Sequence, residues 1–277
     1  SEMCIRDRHD TFARELKQYA EKIGKGKKNL IRLNNNGNEM FLVTHPSERL
    51  SDLVVSTEIQ ERIERLLIEY RNRNKLQKYG LSNRRKILIE GRPGTGKTFT
   101  ASVIAAELDL PLYTIQMDKV VTKFMGETST KLRQIFDNIS TSTGVYFFDE
   151  FDAIGADRSL DNEVGEARRI LNSFLQFIEQ DTSDSIIIAA TNNQKLLDQA
   201  LFRRFDDVLH YAMPTSDEVR RLFEIRLGTF DSSFKVSDEA ICMASKLSHA
   251  EIIRVCDDAI KLSLIHISEP TRPLYIS

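Results

Sequence analysis

The residues best suited to chemistry lie in the glycine-rich segment Gly91–Thr98, GRPGTGKT, which matches the pattern GxxxxGK[ST]. An apolar run precedes this segment and a helical pattern follows it, which is the setting in which such loops bind phosphate. The glycines let backbone N–H groups turn toward an anion at the N-terminus of the following helix. We expect Lys97 to reach the β- and γ-phosphates of a nucleotide and Thr98 to offer its hydroxyl to Mg²⁺. The predicted nucleotide-binding residues are Gly91, Pro93, Gly94, Thr95, Gly96, Lys97, Thr98 and Phe99.

Two adjacent acids, Asp149 and Glu150, directly follow the apolar run VYFF. At the end of a strand, Asp149 is suited to hold Mg²⁺, mainly through water, and Glu150 to polarise an attacking water as a general base. Acids also end strands simply as turn formers, but the position about 50 residues after the phosphate loop favours the catalytic interpretation. Asp152 is interpreted instead as a helix cap or a solvated acid.

A third apolar run, IIIAATNN, ends in two asparagines. Asn192 is the candidate for holding the hydrolytic water near the γ-phosphate, because its side chain would lie at the end of a neighbouring strand. The alternatives are Asn193 and a simple strand-ending turn.

Two adjacent arginines, Arg203 and Arg204, come before the short run VLHY. A guanidinium donated across a subunit boundary can neutralise charge on a transferring phosphoryl group. The alternative is a pair of surface arginines matched to Asp206 and Asp207. Spacing alone favours that alternative.

The elements that position these residues form an alternating pattern of short apolar runs and helical patterns. The predicted strands are Lys86–Glu90, Leu112–Gln116, Val145–Phe148, Ile186–Ala190 and an edge strand at Val208–Tyr211. The predicted helices between them are Lys97–Leu108, Ser129–Ile139, Glu163–Gln180 and Asp198–Phe202. Such alternation predicts an α/β fold with a parallel sheet covered by helices on both faces.

Helical patterns also precede and follow the alternating region. Ser56 is predicted to cap a long helix that runs to about Tyr79 and ends at Gly80. Its buried face is predicted to contain Ile59, Ile63, Leu66, Leu67 and Tyr70. After Pro214 the strand signals stop, and the predicted helices are Asp217–Leu227, Asp238–Leu247 and Ala250–Lys261.

The predicted domains are an α/β domain over 51–213 and a helical domain over 214–262. Residues 1–50 read as an N-terminal helix and loop, and 263–277 as a non-native tail. The start, SEMCIRDR, and the end from Leu262 resemble translated sequencing-adapter sequence, so both are left out of the functional interpretation. The alternative for the tail is a genuine proline-containing terminus. If the ends are foreign, the natural protein can extend past this segment.

Composition limits the classes of partner. The net charge of −2 gives no general electrostatic reason to expect nucleic acid, and clusters such as Arg84–Lys86 are interpreted as solvated surface. No apolar run approaches the ~20 residues that span a bilayer. Of the three cysteines, Cys242 and Cys256 are predicted to be buried free thiols, which favours a cytoplasmic setting.

Together, these motifs resemble those of AAA+ ATPases of the AAA clade over about residues 50–262. GRPGTGKT resembles the Walker A motif, YFFDEFD Walker B, AATNN the sensor-1 segment and LDQALFRRFDD the arginine-finger segment. The resemblance implies a P-loop NTPase fold with a small C-terminal helical lid, and ATP and Mg²⁺ bound where the two meet. It also implies a homo-oligomeric ring, usually a hexamer, in which Arg203 and Arg204 act on the neighbour's nucleotide. The family often has a glycine before the second arginine and this chain does not, so the choice of principal finger stays open.

Two further segments gain meaning only from this resemblance. KFMGE resembles a pore loop that grips polypeptide, which assigns Lys123, Phe124 and Met125 to substrate contact. Without the family, Phe124 and Met125 would be read as core or lid packing. SHAEIIRVCDDAI resembles the sensor-2 helix of the lid, and His249 within it is interpreted as a cap or surface residue.

The leading functional hypothesis is ATP hydrolysis coupled to remodelling or threading of a protein substrate. The main alternative is a nucleotide-controlled switch that regulates a partner protease or effector. A DNA-acting loader is disfavoured because no DNA-binding motif is present. A membrane-bound protease of the superfamily is disfavoured because the sequence contains neither HExxH nor a spanning run.

Overall fold

The computed structural model describes residues 40–120, 125–151, 161–192, 202–230 and 234–268. Within these ranges the strands are β1 Phe41–Thr44, β2 Lys86–Gly91, β3 Leu112–Ile115, β4 Val145–Phe148, β5 Ile186–Thr191 and β6 Asp207–Tyr211. They form one sheet in the order β1-β3-β4-β5-β2-β6. All pairs are parallel except β1 with β3. The α/β fold predicted from the alternating pattern is confirmed, and β6 lies at the edge as its sequence indicated.

The helices in the described residues begin with α1 Thr57–Arg71, α2 Arg73–Lys78, α3 Lys97–Glu107, α4 Met117–Val120 and α5 Met125–Thr141. They continue with α6 Asp161–Gln180, α7 Ser216–Gly228, α8 Asp238–Ala244 and α9 His249–Ser268. Helix α9 therefore includes the first residues of the segment interpreted as a non-native tail. The predicted helix over Asp198–Phe202 lies, except for Phe202, outside the described residues, as does everything before residue 40.

Apolar side chains fill both faces of the sheet, as a parallel sheet covered by helices requires. One cluster contains Tyr146, Phe148 and Phe174, and the other contains Phe147, Ile188 and the buried face of α1. Alternate residues of β4 thus belong to opposite faces. All four side chains of β4 are fully buried, which explains why its sequence is a continuous apolar run rather than an alternating one.

The predicted long helix over residues 57–79 is wrong in one respect, because it is divided at Asn72. The Asn72 side-chain amide donates a hydrogen bond to the carbonyl of Ile68 at 2.9 Å. Asparagine side chains compete with the backbone for hydrogen bonds in this way, which disfavours them inside helices. The cap at Ser56 and the five predicted buried residues of the first helix are as expected.

Two surface predictions are corrected by the structure. Cys256 is buried, but Cys242 is exposed because it lies on the outer side of the short helix α8. The basic cluster Arg84–Lys86 is not simply a solvated surface, since it is only partly exposed and tied to the chain's own acids. Arg85 pairs with Asp181, and Arg84 lies 3.4 Å from the carboxylate of Asp207.

A third apolar cluster holds the C-terminal helices together and joins them to the sheet domain. Val219 and Phe223 of α7 pack with Ile241 of α8 and with Ile252 of α9. Val54, which precedes α1, is part of the same cluster. The residues that link the helical region to the sheet domain therefore include a segment far away in sequence.

Candidate functional site

The loop between β2 and α3 has the backbone conformation that its glycines predict. Gly94 and Gly96 have positive φ angles of 78° and 96°, a conformation that residues with a Cβ atom rarely adopt. A Cβ atom on Gly94 would also lie 2.6 Å from the Ser248 hydroxyl oxygen. Glycine at position 94 is therefore required both by the backbone and by contact with the C-terminal helices.

Lys97, the first residue of α3, is 7% exposed and folds back over the loop. Its Nζ atom donates to the carbonyl oxygens of Gly91 and Arg92 at 2.8 and 3.0 Å. It also donates to the Oδ1 atom of Asn192 at 2.8 Å. Asn192 directly follows β5, which pairs with β2, so the sheet register brings these two predicted site residues together.

The predicted metal-binding pair, Thr98 and Asp149, is also adjacent. The Thr98 hydroxyl donates to Oδ2 of Asp149 at 3.3 Å. The described ranges contain no group of three or more His, Cys, Asp or Glu side chains that could hold a metal ion by themselves. The Thr98 hydroxyl and the Asp149 carboxylate fit Mg²⁺, which takes hard oxygen ligands and is held by one or two protein groups together with phosphates and water.

Glu150 has an unusual backbone, with a φ angle of +50°. Its N–H donates to Oδ1 of Asp149 at 3.0 Å, and its side chain is exposed. A non-glycine residue in this region of φ/ψ space costs free energy, and such residues concentrate at functional sites. The strained turn directs the chain so that Asp149 and Glu150 both line one cleft.

That cleft has a volume of about 400 Å³, within the usual range for a small-molecule site. Its lining includes the predicted residues Pro93, Gly94, Gly96, Lys97, Thr98, Phe99, Asp149, Glu150 and Asn192. Gly91 and Thr95 have supporting positions instead. The buried Thr95 hydroxyl donates to the Arg92 carbonyl, and a Cβ atom on Gly91 would lie 2.6 Å from Cβ of Tyr211.

The rest of the lining was not assigned residue by residue from sequence, although the resemblance to the sensor-2 helix implied that small residues near the start of that helix lie close to the nucleotide. It consists of Asp52, Leu53, Val54, Leu222, His249, Ala250 and Ile253. These residues come from the segment before α1 and from helices α7 and α9. No motif or spacing marks Leu53 or Leu222 as site residues, because only the tertiary fold brings these apolar side chains to the phosphate loop.

The start of α9 contacts the phosphate loop directly. The Ala250 N–H donates to the Gly94 carbonyl at 3.0 Å. Ser248, not His249, caps the helix, since its hydroxyl accepts from the Glu251 N–H while Glu251 accepts from the Ser248 N–H. The interpretation of His249 as a cap or surface residue is therefore wrong, because its ring is buried.

The two arginines differ in their surroundings. Arg203 is exposed, whereas the guanidinium of Arg204 contacts the carboxylate of Glu179 on α6. Asp206 accepts hydrogen bonds from the backbone N–H groups of Arg85 and Lys86. Asp207 pairs with Arg62 and Arg84. The alternative that paired Arg203 and Arg204 with these two aspartates is therefore wrong, because both aspartates have other partners.

Several predicted residues lie outside the part of the chain that the structure describes. These are Lys123, Phe124, Asp152 and Asn193. Met125 is the first residue of α5, but its side chain is not described. The pore-loop assignment and the alternative sensor residue therefore stay predictions.

Residues 87–213 match the family described as "ATPase family associated with various cellular activities (AAA)". An uncharacterized AAA family ATPase of Sinorhizobium fredii is 36% identical over 220 residues, or 79% of this chain and 66% of that protein. The chain belongs to the AAA family of ATPases. The sequence prediction of an ATPase is thereby confirmed.

More distant relatives of this AAA domain carry functional names. A 26S proteasome regulatory subunit 6B homolog of Dictyostelium discoideum is 30% identical over 77% of this chain and 55% of that protein. An ATP-dependent zinc metalloprotease FtsH of Parabacteroides distasonis is 30% identical over 75% of this chain and 32% of that protein. The chain thus spans less than two thirds of each of these relatives. None of its described helices is both long enough and apolar enough to cross a membrane.

Proposed function

We propose that this AAA domain hydrolyses Mg²⁺-bound ATP in the cleft between the phosphate loop and α9. The domain assembles into a homo-oligomeric ring, a hexamer. The ring uses ATP hydrolysis to remodel or thread a protein substrate. The observation that supports the site is the convergence of residues from three strand ends on one cleft. Lys97 contacts Asn192, Thr98 contacts Asp149, and Glu150 lines the same cavity. The parallel sheet brings these groups to a single edge, where α/β proteins bind ligands.

Each residue has a distinct part in this proposal. Lys97 exchanges its contacts with loop carbonyls for the β- and γ-phosphates of the nucleotide. Thr98 and Asp149 hold Mg²⁺, which neutralises charge on the phosphates. Glu150 accepts the proton of the attacking water, and Asn192 orients that water.

Arg203 is the principal arginine finger in this proposal. An arginine that acts on a neighbouring subunit's nucleotide has to be accessible from that subunit. Arg203 is exposed, whereas Arg204 contacts Glu179 of its own chain. Arg204 then positions the segment that carries Arg203.

A protein is the proposed substrate or partner. One relative is named a proteasome regulatory subunit homolog and another an ATP-dependent protease, so both names point to protein handling. The net charge of −2 gives no general attraction to nucleic acid. Lys123, Phe124 and Met125 are proposed to contact the polypeptide.

The test is steady-state ATP hydrolysis per subunit as a function of protein concentration, with and without an unfolded protein such as casein. A rate per subunit that rises with concentration supports catalysis between subunits, and stimulation by casein supports a protein substrate. Phe124→Ala is expected to lose the stimulation but keep the basal rate. A rate independent of concentration contradicts the ring, and ATP binding without casein stimulation favours the switch hypothesis.

A further inference from the structure

Two buried hydroxyl groups meet beneath the phosphate loop, and neither belongs to the lining of the cleft. Thr100 on α3 is fully buried, and Tyr211 at the end of β6 is 6% exposed. Their hydroxyl oxygens lie 2.6 Å apart. Tyr211 otherwise packs in the apolar cluster that contains Ile89 and Ile104, where a polar group costs free energy unless it is hydrogen-bonded. The contact between the two hydroxyls, which we call the hydroxyl pair, therefore satisfies polar groups in an apolar setting.

The second hydrogen bond of Thr100 fixes the direction of this contact. The Thr100 hydroxyl donates to the carbonyl oxygen of Gly96 at 3.1 Å. A hydroxyl has only one proton to donate. Since that proton is directed to Gly96, the Thr100 oxygen accepts from the Tyr211 hydroxyl. The hydrogen bonds thus run from Tyr211 through Thr100 to Gly96.

Gly96 is the last glycine of the phosphate loop, and the orientation of its carbonyl determines where the next N–H points. Its φ angle is 96°, and its carbonyl accepts the N–H of Thr100 at 2.9 Å as well as the Thr100 hydroxyl. In a planar trans peptide, the C=O and the N–H point in opposite directions. A Gly96 carbonyl held toward α3 therefore directs the Lys97 N–H out of the helix and toward the loop. Backbone N–H groups at such a helix N-terminus are the groups that bind phosphate.

Tyr211 also contacts the first residue of the loop. It lies opposite Gly91 in the register of β2 and β6, and a Cβ atom on Gly91 would lie 2.6 Å from Cβ of Tyr211. Its backbone thus packs against Gly91, while its hydroxyl acts on Gly96 through Thr100. One residue of β6 therefore supports both the beginning and the end of the glycine-rich loop.

Local helix geometry explains only half of the hydroxyl pair. Threonine in a helix often donates to the carbonyl four residues earlier, so the Thr100 bond alone is ordinary. The Tyr211 hydroxyl is not part of that pattern, because phenylalanine would bury the same ring without a polar atom. Replacing both partners of a buried hydrogen bond by apolar groups of the same shape can be nearly neutral for stability. The fold therefore gains little from the two hydroxyls, whereas the loop gains an oriented carbonyl.

We propose that Thr100 and Tyr211 are positioning residues for phosphate binding, and that Tyr211 acts through Thr100. Their hydroxyl groups hold the Gly96 carbonyl, and with it the Lys97 N–H, in the orientation that receives the phosphates. Neither residue contacts the nucleotide. This inference rests on the proposed ATP site.

The experiment measures the dissociation constant of ATP by calorimetry with Mg²⁺ present, in a Glu150→Gln background that prevents turnover. Tyr211→Phe and Thr100→Val each remove one hydroxyl and keep the shape of the side chain. Each is expected to weaken ATP binding about fivefold, the ordinary contribution of one hydrogen bond. Binding of inorganic triphosphate is expected to weaken by the same factor, because the hydroxyl pair acts on the phosphates and not on the nucleoside.

The double variant separates positioning from a merely structural role, with stability measured by urea unfolding. Thr100→Val leaves the Tyr211 hydroxyl buried without that partner, which lowers the free energy of unfolding. Adding Tyr211→Phe removes the unpaired hydroxyl and is expected to restore most of this loss. ATP affinity is not expected to recover, and the double variant is expected to bind ATP as weakly as Thr100→Val alone.

Tyr146→Phe is the matched control. Tyr146 is fully buried in the cluster on the opposite face of the sheet, and its hydroxyl donates to the side chain of Asn138 at 2.7 Å. This substitution also removes a buried, hydrogen-bonded hydroxyl from a tyrosine. It is expected to lower the free energy of unfolding without changing the dissociation constant of ATP.

Three outcomes overturn the proposal. The first is unchanged ATP affinity in either single variant. The second is recovery of ATP affinity together with stability in the double variant, and the third is a double variant that binds ATP more weakly than Thr100→Val, since Tyr211 would then act by another route. Lys97→Ala separates this proposal from the proposed ATP site, because a failure of that variant to weaken either ligand means that the site itself is wrong.

Discussion

Glu150 has both an unusual backbone conformation and a side chain suited to act as the general base. Its positive φ angle and its exposed carboxylate beside Asp149 fit a general base held in a fixed turn. Glu150→Gln is expected to reduce the rate of ATP hydrolysis by about 100-fold or more, because the amide cannot accept the proton of water. Affinity for ATP is expected to change little, since Lys97 and Thr98 are untouched.

The measurement is ATP turnover beside the ATP dissociation constant. Glu224→Gln provides the control, because Glu224 is an exposed glutamate on α7 outside the cleft lining. Hydrolysis at the normal rate in Glu150→Gln would assign the base to another residue.

His249 gives the protein an acid-sensitive contribution to stability. Since burial lowers its pKa in the folded state, the unfolded chain binds the proton more tightly. The free energy of unfolding therefore falls as pH drops through and below the unfolded value of about 6.5. In His249→Gln, this free energy is expected to decrease less steeply between about pH 6.5 and 5.

Urea unfolding at several pH values measures this difference. The slope with pH is the informative quantity, because the substitution also changes packing and shifts the whole curve. Parallel curves for the variant and the unchanged protein would show that His249 does not titrate differently on folding.

At the scale of elements, helix caps fix where the C-terminal helices begin. Thr215 caps α7, its hydroxyl accepting from the Glu218 N–H at 3.3 Å while Glu218 accepts from the Thr215 N–H at 2.7 Å. Thr215→Ala is expected to lower the free energy of unfolding by about 1 kcal/mol. Ser216→Ala, at the next exposed position, is expected to have a much smaller effect. Urea unfolding of both variants checks this, and equal effects would contradict a capping role.

The elements also show why most of the sheet could be predicted and β1 could not. Strands β2 to β6 are marked by short apolar runs between helical patterns, a signal contained in the local sequence. Strand β1 is a four-residue segment that pairs with the distant strand β3, Phe41 opposite Ile115. That pairing is antiparallel and non-local, and local periodicity does not encode it.

The same distinction between local sequence signals and tertiary packing applies to the residues of the candidate site. Lys97, Asp149 and Asn192 could be predicted because the carboxyl ends of parallel strands meet at one edge. Leu53 and Leu222 could not, because they are ordinary apolar residues whose place in the cleft depends on how the C-terminal helices pack. His249 was misjudged for this reason, since a histidine near a helix start is more often exposed.

At the scale of the whole molecule, β6 connects the arginine segment to the phosphate loop of the same subunit. Arg203 and Arg204 precede this strand, and Tyr211 ends it. The Tyr211 hydroxyl lies 2.6 Å from the Thr100 hydroxyl on α3, and its backbone packs against Gly91. The segment proposed to act on a neighbour's nucleotide is thus joined through β6 to the phosphate loop of its own chain, which gives the proposed ring a physical route of coupling between sites.

Catalysis between subunits can be tested by mixing two inactive variants. Lys97→Ala removes the phosphate contact from its own site but keeps Arg203, whereas Arg203→Ala keeps its own phosphate site but lacks the finger. In a mixed oligomer, some Arg203→Ala subunits acquire a neighbour with an intact Arg203, so ATP hydrolysis is expected to recover partly. Each variant alone is expected to stay nearly inactive at the same total concentration. The control mixes Lys97→Ala with the variant that carries both Lys97→Ala and Arg203→Ala, because no site in that mixture has an intact Lys97 beside a neighbour's Arg203. Equal rates in both mixtures would show that Arg203 does not act in trans.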